Sequence, residues 1–194
     1  MLMNPYLQST EYTTAAASLV WALHQLTGHI ANSWVELDAW HHSALLPTRA
    51  SSVYGLAVYA KHKGLTPSII VQKQQYSFPD YRFFRYKKTD IDIASDMQDY
   101  YRRKAVEENI PIVRKKITID LIDSLRDHLL IIRVNPRAWR GQTTSNFVAL
   151  KVLEKGYQIM DPYSGLLCIT KDTLQKSLQQ LLDKKKRNPQ ILVL

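Results

Sequence analysis

The sequence predicts an α+β fold, with N-terminal helices packed on a C-terminal antiparallel sheet. Three observations carry that expectation. Helical spacing of apolar residues dominates the first half, runs of β-branched residues dominate the second, and an amphipathic helix followed by the run "QILVL" closes the chain. Repeats, low-complexity tracts and glycine/serine linkers are missing from the sequence, so one continuous domain over residues 1–194 is expected.

The elements follow in order. Thr13 to about Leu26 reads as a helix, opened by hydroxyls and closed near Gly28. Its first turns are alanines, which suits a helix buried centrally. Residues 31–40 read as a second short helix. "SSVYGLAVYAKHK" (51–63) places Val53, Leu56, Ala57 and Ala60 at helical spacing and stops at Gly64, and "PSIIVQ" is then a strand. Residues 73–89 are aromatic-rich and irregular. Asp96 to Glu108 reads as helix, "IPIVRKKI" as a short strand or turn, and "TIDLIDSLRDH" as a helix capped by Thr118. Strands are expected at 129–135, 146–154 and 157–162, with Gly156 turning the last pair. "KDTLQKSLQQLLDKKK" is an amphipathic helix before the final strand.

Composition narrows the function classes. A chain of 194 residues, 45% hydrophobic and 22% charged, reads as an ordinary globular protein. No apolar run approaches the roughly 20 residues of a membrane-spanning helix. "MLMNPYLQ" lacks a basic region followed by an apolar core, so no secretory signal is expected and the cytoplasm is the default compartment. The one cysteine, Cys168, excludes an intramolecular disulfide or a cysteine-rich metal cluster, and among the aliphatics of "GLLCIT" it reads as a small buried hydrophobe. His41 and His42 are adjacent, so on a helix they point about 100° apart and grip a metal poorly. Neither metal nor cofactor is expected. His24 and His128 read as surface or satisfied core residues.

The net charge of +9 comes from short, scattered groups such as Arg102-Arg103-Lys104 and Lys184-Lys185-Lys186-Arg187, none within a nucleic-acid-binding signature. A solvated basic surface is the simpler reading, and a nucleic-acid face stays open beside it. The aromatics Tyr76, Phe78, Tyr81, Phe83, Phe84 and Tyr86 alternate with Arg82, Arg85, Lys87 and Lys88. They suit either stacking on bases or an extended peptide, or anchoring an irregular segment.

The stretch "QSTEYTTAAASLVWAL" (8–23) combines a glutamine with a hydroxyl-rich junction that turns at once into an alanine helix. A nucleophile is often mounted at such a junction, because a helix N-terminus stabilises developing negative charge. Far downstream come "TSNFVALKV" and "YQIMDPYSG". This order resembles the papain-like peptidases of the bacteriocin-processing, double-glycine type. There a glutamine precedes a cysteine that opens the central helix, a strand begins with histidine, and a further strand ends in Asp-Pro. "LPTRASSVYGLAVYAKHKGL" and "YYRRKAVEENIPI" are similar to a bacterial branch of the same superfamily, so the resemblance spans most of the chain.

The departures from that pattern concern the chemistry. Gln8 and Asp161 match the family's glutamine and aspartate. Thr14 stands where the resemblance places the cysteine, Ala15 where it places a glycine, and Asn146, beside Ser145, where it places the histidine. A threonine hydroxyl needs a positioned base to lose its proton, and an asparagine side chain takes up no proton at useful pH. The resemblance therefore implies a pseudopeptidase, catalytically inactive, with Gln8, Thr14, Ser145, Asn146 and Asp161 lining a peptide-binding floor. Thr14 is also expected to cap its helix, and Asp161 to accept a hydrogen bond from Asn146. The implied partner is a polypeptide: a leader peptide, a protein terminus, or an active relative that this chain scaffolds. Two other readings stand beside it: a hydrolase or transferase using other residues, with a base drawn from His24, His29, His41, His42, His62 or His128, and a basic nucleic-acid-binding domain.

Overall fold

The structure is a computed structural model that describes residues 4–73, 86–142, 144 and 146–194. Helix α1 (Thr14–Thr27) runs through the centre, and its residues Thr14 to Leu23 are all buried. A helix that is apolar or small on every side must be surrounded. Here it lies against helix α2 (Ser33–His41), helix α3 (Val53–His62) and the sheet strands β5 (Leu129–Val134), β6 (Asn146–Leu153) and β7 (Gly156–Asp161). A two-stranded ribbon, β1 (Ala44–Leu45) and β2 (Ala50–Ser51), joins α2 to α3.

The seven-stranded sheet also contains β3 (Ser68–Val71), β4 (Ile112–Arg114), β8 (Gly165–Ile169) and β9 (Gln190–Val193), in the order β4-β3-β9-β5-β6-β7-β8. One correction to the expected architecture follows, and one placement that the sequence left open. β3 comes from the N-terminal half, and it pairs in parallel with β4, so the sheet is mixed rather than an antiparallel C-terminal unit. The terminal strand β9 sits centrally between β3 and β5, where its four residues are buried on both faces. "QILVL" therefore lacks polar alternation, as a doubly covered strand should.

Helices lie on both faces. One core joins α1, α3 and α4 (Lys88–Glu107) to Ile131, Phe147, Ala149 and Met160. The other joins α5 (Ile119–Asp123), α6 (Arg137–Arg140) and α7 (Lys171–Lys185) to Leu130, Ile132, Val148, Leu150 and Ile159. Strand alternation divides these residues between the faces. Helix α4 begins eight residues before the expected Asp96, with the Lys87 amide donating to Asp90 at 2.8 Å. Its buried residues Ile91, Ala94, Gln98, Tyr101 and Ala105 keep one stripe inward. Strand β8, helix α6 and the β1–β2 ribbon are too short for periodicity to reveal. Among the described residues no helix is long and apolar enough to cross a membrane. Of the six aromatics in the 73–89 segment, all but Tyr86 lie outside the described residues; the Tyr86 hydroxyl donates to the Thr48 carbonyl at 3.0 Å.

Cys168 is exposed on β8, which corrects the expectation of a buried thiol. It shares its face of β8 with the partly buried Leu166 and lies opposite Gln158, and β8 is an edge of the sheet.

Two close approaches shape the frame. A Cβ on Gly55 would sit 2.8 Å from the Ser43 Cα and 2.9 Å from the His42 carbonyl oxygen. Both are backbone atoms, so α3 and the 42–43 segment must separate to admit it. Asp123 ties α5 to the sheet and α7, accepting from the Tyr157 hydroxyl at 2.7 Å and from Lys171. Burial alone raises the Asp123 pKa, but hydrogen bonds from Lys171 and Tyr157 and the charges of Lys171 and Arg126 outweigh it, holding the carboxyl below its ordinary value.

Gly55→Ala should cost roughly 1–3 kcal/mol of overpacking, against which alanine's better helix propensity returns at most about 1. A net loss in urea unfolding is the expected result. Because the folded-state pKa of Asp123 is depressed, its contribution is present above the ordinary carboxylate range and is lost as pH falls through the lower folded value. Asp123→Asn should therefore be less stable at neutral pH and lose less stability on acidification, read by thermal unfolding between about pH 7 and about pH 3.

Candidate functional site

The segment entering α1 is tied down on both sides of Gln8. Glu36, wholly buried on α2, accepts from the Tyr6 hydroxyl at 2.7 Å and from the Ser9 amide at 3.0 and 3.1 Å. Burial, reinforced by the hydrogen bond to Glu36, pushes the Tyr6 pKa well above its ordinary value, so this hydroxyl stays a donor. Between these anchors the Gln8 amide donates to the Pro162 carbonyl at 2.8 Å. The Gln8 Oε1 is buried and has no hydrogen-bond partner among the described residues. Tyr12 then packs against Trp40, with ring centroids 4.9 Å apart, as the chain turns into the helix.

Helix α1 opens without a side-chain cap. Its N-cap residue is Thr13, not Thr14, and the Thr13 hydroxyl donates backward to the Thr10 carbonyl at 3.1 Å. Thr14 is the first helical residue and 9% exposed, and no acidic side chain sits in the first turn. The positive end of the helix thus keeps amides that neither a cap nor a carboxylate of the helix satisfies. Such a helix start can receive a carbonyl oxygen or an anion.

One turn further on, the Ser18 hydroxyl is shared between the Thr14 carbonyl at 2.9 Å and the Phe147 carbonyl at 3.2 Å. Phe147 follows Asn146, the first residue of β6. The start of α1 and the start of β6 therefore meet through Ser18. The pairing of Ala149 with Met160 puts the end of β7, and so Asp161, at the same end of the sheet. Gln8 reaches that end through Pro162. Four sequence-selected positions, Gln8, Thr14, Asn146 and Asp161, are gathered there; Ser145 lies outside the described residues.

The surroundings of Asp161 correct one expectation. Its wholly buried carboxylate accepts from Trp139 Nε1 at 2.7 Å, from Arg140 Nε at 2.6 Å, from Arg140 Nη2, and from the Tyr163 amide at 2.9 Å. That is two donors on each oxygen, the capacity of a carboxylate. The partner expected from the sequence, Asn146, gives way to Trp139 and Arg140. The Arg140 side chain is 4% exposed and stacks over the Tyr163 ring at 4.9 Å.

Trp139 and Arg140 lie on α6, between Pro136 at its N-cap and a left-handed Gly141. Asn135 anchors the turn, its Oδ1 accepting from the Arg137 amide at 3.2 Å and its carbonyl from the Ser177 hydroxyl of α7 at 2.5 Å. Sequence reasoning missed Trp139, Arg140, Tyr6 and Glu36. The signal for the first two was "NPRAWRG", a tryptophan and two arginines bracketed by Pro136 and Gly141 in a stretch that otherwise reads as loop. A lone glutamate in a short helix carries no comparable signal.

The histidines make their contacts elsewhere. His24 reaches the His29 carbonyl, His42 bonds Asp38, His62 pairs with Glu108, and His128 reaches the Leu194 carbonyl. His41 stacks edge-on with His42. Among the described residues no group of three His, Cys, Asp or Glu side chains is arranged to hold a metal ion.

An alanine-rich helix opening beside the start of β6, with Asp161 at the neighbouring end of β7, in an α+β frame is compatible with a C39-like family. The chain belongs to the Peptidase_C39 like family, whose model matches residues 3–163. That span contains every position from Gln8 to Asp161. No match is found among curated proteins.

Arg140→Met should leave Asp161 buried without its counter-ion and cost about 3–5 kcal/mol in chemical denaturation. The double variant Arg140→Met/Asp161→Leu, which removes both charges, should recover much of that loss.

Proposed function

We propose that this chain is a papain-like pseudopeptidase, a single domain over residues 1–194 that binds a polypeptide and does not cleave it. The observation that carries the reading is the constellation at the start of α1. Thr14 occupies the nucleophile position, Asn146 the base position, and Asp161, which in the resembling peptidases belongs to the catalytic set, is committed to Arg140 and Trp139. Thr14 without a base has no route to an alkoxide, and Asn146 can donate and accept hydrogen bonds but carries no proton between substrate and water.

What remains is suited to holding. The uncapped amides of α1 can receive a main-chain carbonyl, and the Gln8 side chain, with an unpartnered oxygen, can receive a main-chain amide. A peptide lying extended over this junction would use both. The binding floor comprises Gln8, Thr14, Ser145, Asn146 and Asp161, with Asp161 acting through the structure it anchors rather than by touching the ligand. The partner is a leader peptide, a protein terminus or an active relative.

A peptidyl electrophile directed at acyl-transfer enzymes provides the test, applied to Cys168→Ser so that the exposed thiol cannot react. The expected result is no covalent adduct and no release of dye from fluorogenic peptides. An adduct at Thr14, with turnover abolished by Thr14→Ala, would overturn the reading. Peptides selected on the wild-type protein from a random display library should bind Gln8→Ala at least about tenfold more weakly. Their affinity should change little with salt, whereas a nucleic-acid face would show a steep decline.

A further inference from the structure

Buried polar side chains from three segments meet beside the start of α1. Arg133 of β5 lies between Ile132 and Val134, which serve the opposite core, so its side chain falls on the α1 face of the sheet. It pairs with Phe147, and its guanidinium carbon stands 4.7 Å from the centre of the Phe147 ring. The pairing of Ile132 with Ile191 sets Gln190 of β9 at the next position outward, beside Arg133 and on the same face. The third member comes from the β1–β2 ribbon, where the Ser51 carbonyl accepts from Arg133 Nη2 at 3.5 Å. Ser51 directly precedes Ser52, the N-cap of α3. The cluster thus lies between the starts of α1 and α3.

Arg133 and Gln190 are each 3% exposed, and Ser51 is 6% exposed. The Gln190 Oε1 and the Ser51 Oγ are buried and have no hydrogen-bond partner among the described residues. Buried polar atoms are ordinarily satisfied, and leaving one unmade costs more than a typical hydrogen bond returns. Here an acceptor and a hydroxyl of that kind flank a buried guanidinium. Neither helix start adds a carboxylate, since the first turns of α1 and α3 hold no acidic residue. The group that suits all three side chains is an anion with an N–H beside it.

We propose that Arg133, Ser51 and Gln190 receive the C-terminal carboxylate of the bound polypeptide. The proposal rests on the reading that a polypeptide lies at the start of α1, and it names which end of that polypeptide is held. The guanidinium fork matches a carboxylate, the Ser51 hydroxyl can donate to it, and the amide of the last residue can donate to the Gln190 Oε1. A C-terminal residue carries both groups on one Cα. An aspartate or glutamate side chain brings the anion without the donor, and an N-terminal ammonium would meet the arginine's charge. Burial points the same way: side chains so little exposed are reached by the end of a chain, not by a segment running past.

The probe is the tightest binder from a random peptide library displayed with free C-termini. It is synthesised as the acid and as the C-terminal amide, each labelled with fluorescein at the N-terminus. By fluorescence anisotropy the acid should bind wild-type protein at least about tenfold more tightly than the amide. Arg133→Met should abolish that preference by weakening the acid while the amide keeps its affinity; a general structural defect would weaken both. Arg133→Lys, which keeps the charge and loses the fork, and Ser51→Ala should each reduce the preference severalfold, and they carry the test if Arg133→Met does not fold. An amide whose last residue is glutamate should not recover the acid's affinity. Equal binding of acid and amide by wild-type protein would overturn the proposal, with water alone serving the two oxygens, and would leave the peptide-binding reading intact. Recovery by the glutamate amide, or variants that keep the full preference, would overturn it likewise. A library that yields no binder would overturn both.

Discussion

The burial of α1 constrains nearly everything else. Ten consecutive residues of that helix, from Thr14 to Leu23, are removed from water, so every surrounding element must offer an apolar or self-satisfied face. Its alanines let the sheet and α3 approach closely, and its one interior hydroxyl, Ser18, is spent on carbonyls of its own helix and of β6. A helix held this way presents its N-terminus at a fixed place beside the β6 and β7 ends. The candidate site is a consequence of that placement.

Two buried carboxylates hold the surroundings of that helix start. Glu36 gathers Tyr6 and Ser9, which fixes the approach to α1, and Asp161 gathers Trp139, Arg140 and the Tyr163 amide, which fixes the turn before β6. Buried charge is costly unless it is hydrogen-bonded, and both groups draw donors from segments far along the chain. Asp161 thereby takes a structural task. A carboxylate that bridges an arginine and an indole is positioned to hold a turn.

The elements that could be read from the sequence were those long enough to show a period or flanked by strong punctuation. α1, α3, α7 and the β6–β7 pair fall at nearly their expected bounds, because an alanine run, Gly28, Gly64 and Gly156 mark them locally. Helix α4 began earlier than read, since in its N-terminal turns, Lys88 to Ser95, Ile91 and Ala94 face inward while Ile93 is exposed, which blurs the helical period. β8 was passed over because five residues following a turn, all apolar or small, have no alternation to display. For the candidate site, Gln8, Thr14, Asn146 and Asp161 were selected through the order of motifs, a property of the chain and not of its contacts, whereas Trp139, Arg140, Tyr6 and Glu36 emerged only from contacts.

By itself, then, the sequence determined the α+β class and the family resemblance, because each depends on residue identity and local order. The partners of Asp161 and Glu36, the central position of β9, the parallel β3–β4 pair and the exposure of Cys168 were decided only in three dimensions. All of these depend on which segments pack together across long sequence separations. Side-chain type restricts such pairings but does not choose among them; the choice comes from the simultaneous burial of apolar surface and the satisfaction of every buried polar group.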